Sequence, residues 1–285
     1  MINLTGVLSQ GIKTTSLWKK QKKHVSDLGI SPEIATEDRK CPRQFWLRYN
    51  GKASEETTPG QQLMFSQGHA LEERVIEYIE KGIRYNDEIR LIATQMDVSP
   101  GLPGTFTGRL DLLLNTGNSF WVVDIKTRRG NAFRYSNDIR PANKYQIGGY
   151  IHGLRMMGIN AEGGIVLEVD REGQNFARNF NFDYTQELKR QIENTFQYVD
   201  EVSRSPAPPS VMPPKIKINE NKGDDSVVAD NPWQCRYCDF RPISCPGAIP
   251  PEHDDDLGKV VGHISDGEFV EKIEGIKQFI GDELG

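Results

Sequence analysis

In the apolar segment FWVVDIKT, Asp124 and Lys126 stand two residues apart. Side chains alternate across a strand. A strand here therefore puts this carboxylate and amine on one face, with Trp121, Val123 and Ile125 on the other. So placed, the carboxylate can hold a hard divalent cation, and the lysine can stabilise charge on a phosphate or orient an attacking water. Taken alone, the triplet fits a surface ion pair equally well. A second acid raises the chemical reading. Asp111 lies in GTFTGRLDLLLN among Leu110, Leu112, Leu113 and Leu114. Burying an acid there costs several kcal/mol unless it is paired or bound to a cation. If residues 104–114 and 119–127 form a hairpin, Asp111 comes close to Asp124 and the two share one cation site. The alternatives are that Asp111 caps a turn or pairs with Arg109.

A second group of residues has ligand character. The chain has four cysteines, and three of them, Cys235, Cys238 and Cys245, form C-x2-C-x6-C in WQCRYCDFRPISCPG. The fourth, Cys41, lies nearly two hundred residues earlier in CPRQFWLRY. In a cytosolic protein this spacing argues for thiolate ligation rather than disulfides. Four thiolates suit tetrahedral zinc or a 4Fe–4S cluster, and spacing alone does not separate them.

Taken in order, these segments resemble the RecB-like nucleases of the PD-(D/E)xK superfamily. The similarity is greatest to the iron–sulfur branch, which includes the CRISPR-associated RecB-like exonucleases and the AddB nuclease domain. The family's GxxD strand corresponds to Gly108–Asp111, its D/E-x-K strand to Asp124–Ile125–Lys126, and its QxxxY helix motif to Gln146–Tyr150. Its upstream GxxxHE motif falls on Gly68–Glu73. There Glu72 occupies the usual histidine position, and His69 is out of register by three residues. The resemblance implies that Glu72, Asp111 and Asp124, with the Ile125 carbonyl, bind Mg²⁺ or Mn²⁺, and that Lys126 assists water attack on a DNA phosphodiester. It implies that Gln146 and Tyr150, which share a helix face as i and i+4, approach the substrate backbone. It also implies that the four cysteines hold 4Fe–4S rather than zinc, stapling the C-terminal segment to the N-terminal helix. The expected activity is exonuclease action on single-stranded or end-containing DNA, in recombination, repair or CRISPR/phage DNA processing, with proteins of those pathways as partners. The alternative is a DNA-binding or recombination-partner module that keeps the nuclease fold without cutting.

The elements that would position these residues follow from periodicity. Helices are predicted at 31–50, with Ser31 as N-cap, at 61–81, 141–158 and 185–203; in the last, Leu188, Ile192, Phe196 and Val199 share a face. Strands are predicted at 88–98, 104–114, 119–127, 163–170 and 175–183. This order predicts an α/β fold, a central mixed sheet flanked by helices as in the restriction-endonuclease-like core, closed by the four-cysteine cluster. The expected domains are an N-terminal extension (1–35), the nuclease core (36–204), a proline-rich linker with the cysteine segment packing back on Cys41 (205–250), and an acidic tail with an amphipathic helix bearing Phe269, Ile273, Ile276 and Ile280 (251–285). The chain's net charge of −5 is concentrated in that tail, which holds ten acids against three lysines. Residues 121–145 instead carry six basic groups, Lys126, Arg128, Arg129, Arg134, Arg140 and Lys144, against Asp124 and Asp138. The five arginines and lysines after the catalytic strand could line a phosphate track, so the charge permits a DNA partner. No apolar run reaches the roughly 18 residues needed to cross a bilayer, and no signal peptide is recognised. A cytoplasmic protein without membrane contact is expected.

Overall fold

The computed structural model describes residues 22–52, 58–135, 137–173, 175–212, 215–221, 224–230, 232–236, 238–240, 244–245 and 259–263. The expected tail helix lies outside the described residues. The chain divides into two units, Met1–Lys40 with Thr57–Glu201, and Cys41–Glu56 with Val202–Gly285. Among the described residues no helix is long and apolar enough to cross a membrane.

The first unit is an α/β fold built on a mixed five-stranded sheet. Short β1 (Lys23–His24) pairs in parallel with β3 (Phe106–Thr107) beside it. The sheet proper is ordered β2 (Arg90–Asp97), β4 (Arg109–Asn115), β5 (Phe120–Arg128), β6 (Ala161–Asp170) and β7 (Ala177–Asp183). All neighbours are antiparallel except β5 and β6, which are parallel. A parallel pair needs a crossover, and two helices supply it, α3 (Gly130–Arg134) and α4 (Pro141–Met156). The expected strand 104–114 is divided at Gly108. A side chain there would put a Cβ 2.7 Å from Val25 and 3.1 Å from the Tyr150 ring, so glycine is what lets α4 and the 25–30 turn close over the strand. Gly149 plays the same part on α4, with Leu28 and Val25 at 2.6 and 2.7 Å from a Cβ position.

The long helix α2 (Pro59–Ile83) starts at a capping box in which Thr58 and Gln61 exchange hydrogen bonds, satisfying two otherwise orphaned donors. Its second half buries Ile76 and packs Leu71, Val75 and Ile79 against Leu112, Leu114, Val123 and Ile125 of the sheet. Further along the chain, α5 (Gln186–Arg204) buries Leu188, Ile192, Phe196 and Val199, the four residues its periodicity singled out.

The helix expected over 31–50 is only α1 (Pro42–Tyr49), and it belongs to the second unit. Proline disfavours helical backbone in the residue before it, and Pro42 instead opens the helix at its first position, with the Cys41 sulfur accepting from the Gln44 N–H. Ser31 is not its cap. It follows the 3₁₀ turn Val25–Ile30, and its hydroxyl meets that of Thr195 at 2.9 Å. The proline-rich stretch after α5 hydrogen-bonds to α1. Its carbonyls are acceptors, with Trp46 donating to Ser205 and Arg43 to Pro209. The rest of the unit holds a three-stranded antiparallel sheet, β8 (Lys215–Asn221), β9 (Asp224–Asp230) and β10 (Lys259–His263), and the one-turn helix α6 (Trp233–Arg236). The sequence reading assigned no strand to these segments.

Candidate active site and cysteine cluster

The β4–β5 hairpin, turned through Thr116 N–H donating to Ser119 O, pairs Leu112 with Val123. Leu112 and Val123 face α2, so the next residues along, Asp111 and Asp124, share the opposite face. Asp124 is 2% and Asp111 9% exposed. One Asp111 oxygen accepts the Ile125 N–H at 2.7 Å; the other lies 3.5 Å from the Gln95 amide nitrogen. Lys126 Nζ stands 2.7 Å from Asp124 Oδ2. Gln146 donates at 3.3 Å to the other Asp124 oxygen and at 2.9 Å to the Tyr150 hydroxyl. Lys126, Asp124, Gln146 and Tyr150 thus form one connected chain of polar contacts, with Asp111 on the same sheet face.

The electrostatics follow from that burial. Desolvation, then the charge of Asp124 and that of Glu72, push the Asp111 carboxyl up to about 8, against the help of the Ile125 N–H. For Lys126, burial disfavours the ammonium, but Asp124, Asp111 and Glu72 together outweigh it, and the net shift is upward. The lysine is therefore a cation at neutral pH. Burial and the adjacent carboxylates also raise the Tyr150 hydroxyl, which stays protonated and able to donate. Glu72, on α2, is near enough for its charge to act on Asp111, Lys126 and Tyr150. Its side chain is 25% exposed, whereas that of His69, 4.0 Å from it, is 80% exposed.

Among the described residues, no three His, Cys, Asp or Glu side chains converge in a ready-made metal cage. The donor chemistry nonetheless suits a hard cation. Asp124 Oδ2 is buried and ion-paired with Lys126, yet it accepts no well-directed hydrogen bond. One ammonium facing the carboxyl groups of Asp111, Asp124 and Glu72 leaves an excess of buried acid that a further positive centre would offset.

The basic residues are dispersed differently from the expected phosphate track. Arg128 is buried and ion-paired with Glu168, itself 0% exposed, so its charge is committed to the interior. Arg178 completes the cluster, binding Glu168 at 2.9 Å, donating to the Phe133 carbonyl and lying 4.1 Å over the Phe133 ring. Sequence reasoning missed both partners, because the pairing joins three strands and a helix with no local signature. Arg129, Arg134 and Arg140 are exposed, and Lys144 is half-buried with its ammonium 5.7 Å from the Phe182 ring.

In the second unit the four cysteines line one pocket with Arg43, Gln44, Val211, Met212 and Gln234. Tight turns gather three of them, with Cys238 N–H donating to Cys235 O and Cys245 N–H to Phe240 O. Cys41, Cys235 and Met212 pack together as a small core. Burial raises the Cys41 thiol and pushes that of Cys238 up to about 11. These are neutral thiols that a soft cation would deprotonate on binding.

The sequence profile of the PD-(D/E)XK nuclease superfamily matches residues 57–246. No curated protein sequence matches significantly. Among solved structures, the chain is similar to SSO0001 (19% identity, TM-score 0.39, covering 87% of this chain and 98% of that one). It is also similar to LHK-Exo, an alkaline exonuclease from Laribacter hongkongensis (12% identity, TM-score 0.42, 68% and 92% covered), and to LHK-Exo in complex with dAMP (15% identity, TM-score 0.42, 65% and 89% covered).

Proposed function

We propose that this chain, which belongs to the PD-(D/E)XK nuclease superfamily, is a metal-dependent DNA exonuclease acting on single-stranded or end-containing DNA. The observation that carries the reading is the buried Asp111 and Asp124 on one sheet face, with Lys126 paired to Asp124 at 2.7 Å and Glu72 near enough for its charge to act on Asp111 and Lys126. A non-cleaving module has no reason to keep two carboxylates desolvated side by side.

Asp111, Asp124 and Glu72, with the Ile125 carbonyl, would hold Mg²⁺ or Mn²⁺. The bound cation would supply Lewis-acid stabilisation of the charge that develops on the scissile phosphate. Lys126, an ammonium at neutral pH, acts electrostatically: it orients the attacking water and offsets charge on the phosphate oxygens. Gln146 keeps Asp124 in place through one amide hydrogen and holds the Tyr150 hydroxyl through the other, which leaves the tyrosine proton free to meet the substrate backbone. Arg129, Arg134, Arg140 and Lys144 would engage flanking phosphates. The buried, paired Arg128 is left out of that set.

The four cysteines, gathered in one pocket of the second unit, would bind a 4Fe–4S cluster, with zinc as the other tetrahedral occupant their chemistry allows. Ligation there would tie α1 to the C-terminal segment, a structural role, since phosphodiester hydrolysis needs no electron. The cellular setting proposed is the cytoplasm, in recombination, repair or CRISPR/phage DNA processing.

The test is digestion of end-labelled linear DNA and of circular single-stranded DNA with Mg²⁺ or Mn²⁺. Mononucleotides from linear substrates, with circles left intact, are expected. Cut circles would replace the exonuclease reading with an endonuclease one, and no product from any substrate would remove the nuclease reading.

A further inference from the structure

Gln95 is the residue in the site whose backbone is out of character. It sits in the middle of β2, in a stretch where Thr94 pairs with Leu112 and Met96 with Leu110. That register sets it directly across from Asp111. Its φ is +49°, in the left-handed region. Among the described non-glycine residues only Phe176 shares that feature, and Phe176 lies just before β7, outside any strand. A left-handed residue inside a strand is strained, and such strain persists only where surrounding structure imposes it, most often at functional sites. Here the side chain it carries reaches the carboxylate: Gln95 Nε2 lies 3.5 Å from Asp111 Oδ1, while Asp111 Oδ2 takes the Ile125 N–H at 2.7 Å. Asp111 thus has a donor at each oxygen, the Ile125 N–H in a short hydrogen bond and the Gln95 amide in a longer contact.

We propose that Gln95 is a positioning residue of the cation site, fixing the Asp111 carboxylate in the orientation from which it ligates the metal. The proposal rests on the metal-dependent reading given above. Partners that orient a ligating carboxylate commonly change metal affinity ten- to a hundredfold when removed. A residue kept only for the strand would be better served by an extended backbone, and one kept only for a left-handed kink would be better served by glycine. Neither account explains a glutamine whose amide ends at Asp111.

Gln95→Gly separates these accounts, because it removes the amide while making φ +49° unstrained. Mn²⁺ binding followed by electron paramagnetic resonance, and Tm in EDTA, are measured for the parent, Gln95→Gly and Asp124→Asn. The expected result for Gln95→Gly is an unchanged or higher Tm together with Mn²⁺ affinity about tenfold weaker. Asp124→Asn should lose Mn²⁺ binding outright. Affinity within twofold of the parent in Gln95→Gly, with binding lost in Asp124→Asn, overturns the role given to Gln95. Mn²⁺ binding that survives Asp124→Asn overturns the cation site itself. Should Gln95→Gly fail to fold, Gln95→Asn is measured instead, since asparagine tolerates left-handed backbone but ends one methylene short; parental affinity there refutes the proposal as well.

Discussion

Replacing Asp111 with asparagine should stabilise the cation-free protein relative to the parent by a margin that widens as pH rises to about 8 and is constant above it. Asparagine keeps the shape of the side chain and an oxygen to accept the Ile125 N–H, and the Gln95 amide can turn its oxygen toward the new NH2 group. The Asp111 carboxyl ordinarily titrates at 3.8 and is pushed to about 8 by burial and by Asp124. A carboxyl raised in the folded state favours folding while it is protonated. That contribution is intact below the unfolded value and is lost as pH rises toward about 8. Between pH 6 and 8 the loss is at most about 3 kcal/mol, at about 1.4 kcal/mol for each pH unit. For a chain of this size that corresponds to roughly 6–12 °C in Tm. Thermal unfolding in EDTA at pH 6, 7, 8 and 9 reads the effect directly. The parent's Tm should fall relative to Asp111→Asn from pH 6 to 8 and keep that margin at pH 9, and Mg²⁺ or Mn²⁺ should restore the parent increasingly up to pH 8 while leaving the variant unmoved. Parallel Tm curves for the two proteins would refute the argument that burial, with the Asp124 charge beside it, keeps the Asp111 carboxyl protonated in the cation-free protein.

Lys126→Ala should reduce single-turnover cleavage by at least about a hundredfold while DNA binding stays within a few fold of the parent; undiminished cleavage would place the active site elsewhere. Glu72→Ala should raise the Mg²⁺ needed for half-maximal cleavage about tenfold, and Glu72→His should shift preference toward Mn²⁺. His69→Ala, at an exposed position, should change neither; the opposite pattern would make His69 the ligand. Anaerobically purified protein should carry about four irons per chain, and Cys41→Ser should lower Tm and iron content before it lowers specific activity. One zinc and no iron would keep the cysteine site and remove the iron–sulfur assignment. Glu168→Gln should destabilise the protein by about 3–5 kcal/mol in denaturant titration, because it leaves the buried Arg128 guanidinium without its counter-charge.

The parts of the site that were legible in the sequence are those governed by short periods. Alternation in FWVVDIKT put Asp124 and Lys126 on one face, and the apolar run around Asp111 marked a buried acid. The i, i+4 spacing of Gln146 and Tyr150 placed both on one side of a helix, and the structure joins them by a hydrogen bond. What escaped depends on contacts far apart in the chain. Arg128 looks like a solvent-facing base when read from β5 alone; only the parallel register with β6 and the reach of Arg178 from β7 show it paired in the interior. Gln95 carries no signal at all, since nothing local announces a left-handed residue inside a strand. The 31–50 segment misled because its composition is helical, while Pro42 and the Cys41 cap reset the start and α1 joins the cysteine-bearing unit.

On this mechanism, DNA is cut only when Asp111 and Asp124 hold a cation. That requirement is tested most directly by following cleavage of end-labelled DNA and Mn²⁺ occupancy together, in parent and Asp124→Asn protein, across one Mn²⁺ titration. Cleavage should rise in step with occupancy in the parent and stop on adding EDTA, and both should be absent in Asp124→Asn. Cleavage that persists in EDTA, or in Asp124→Asn at full strength, would contradict that requirement.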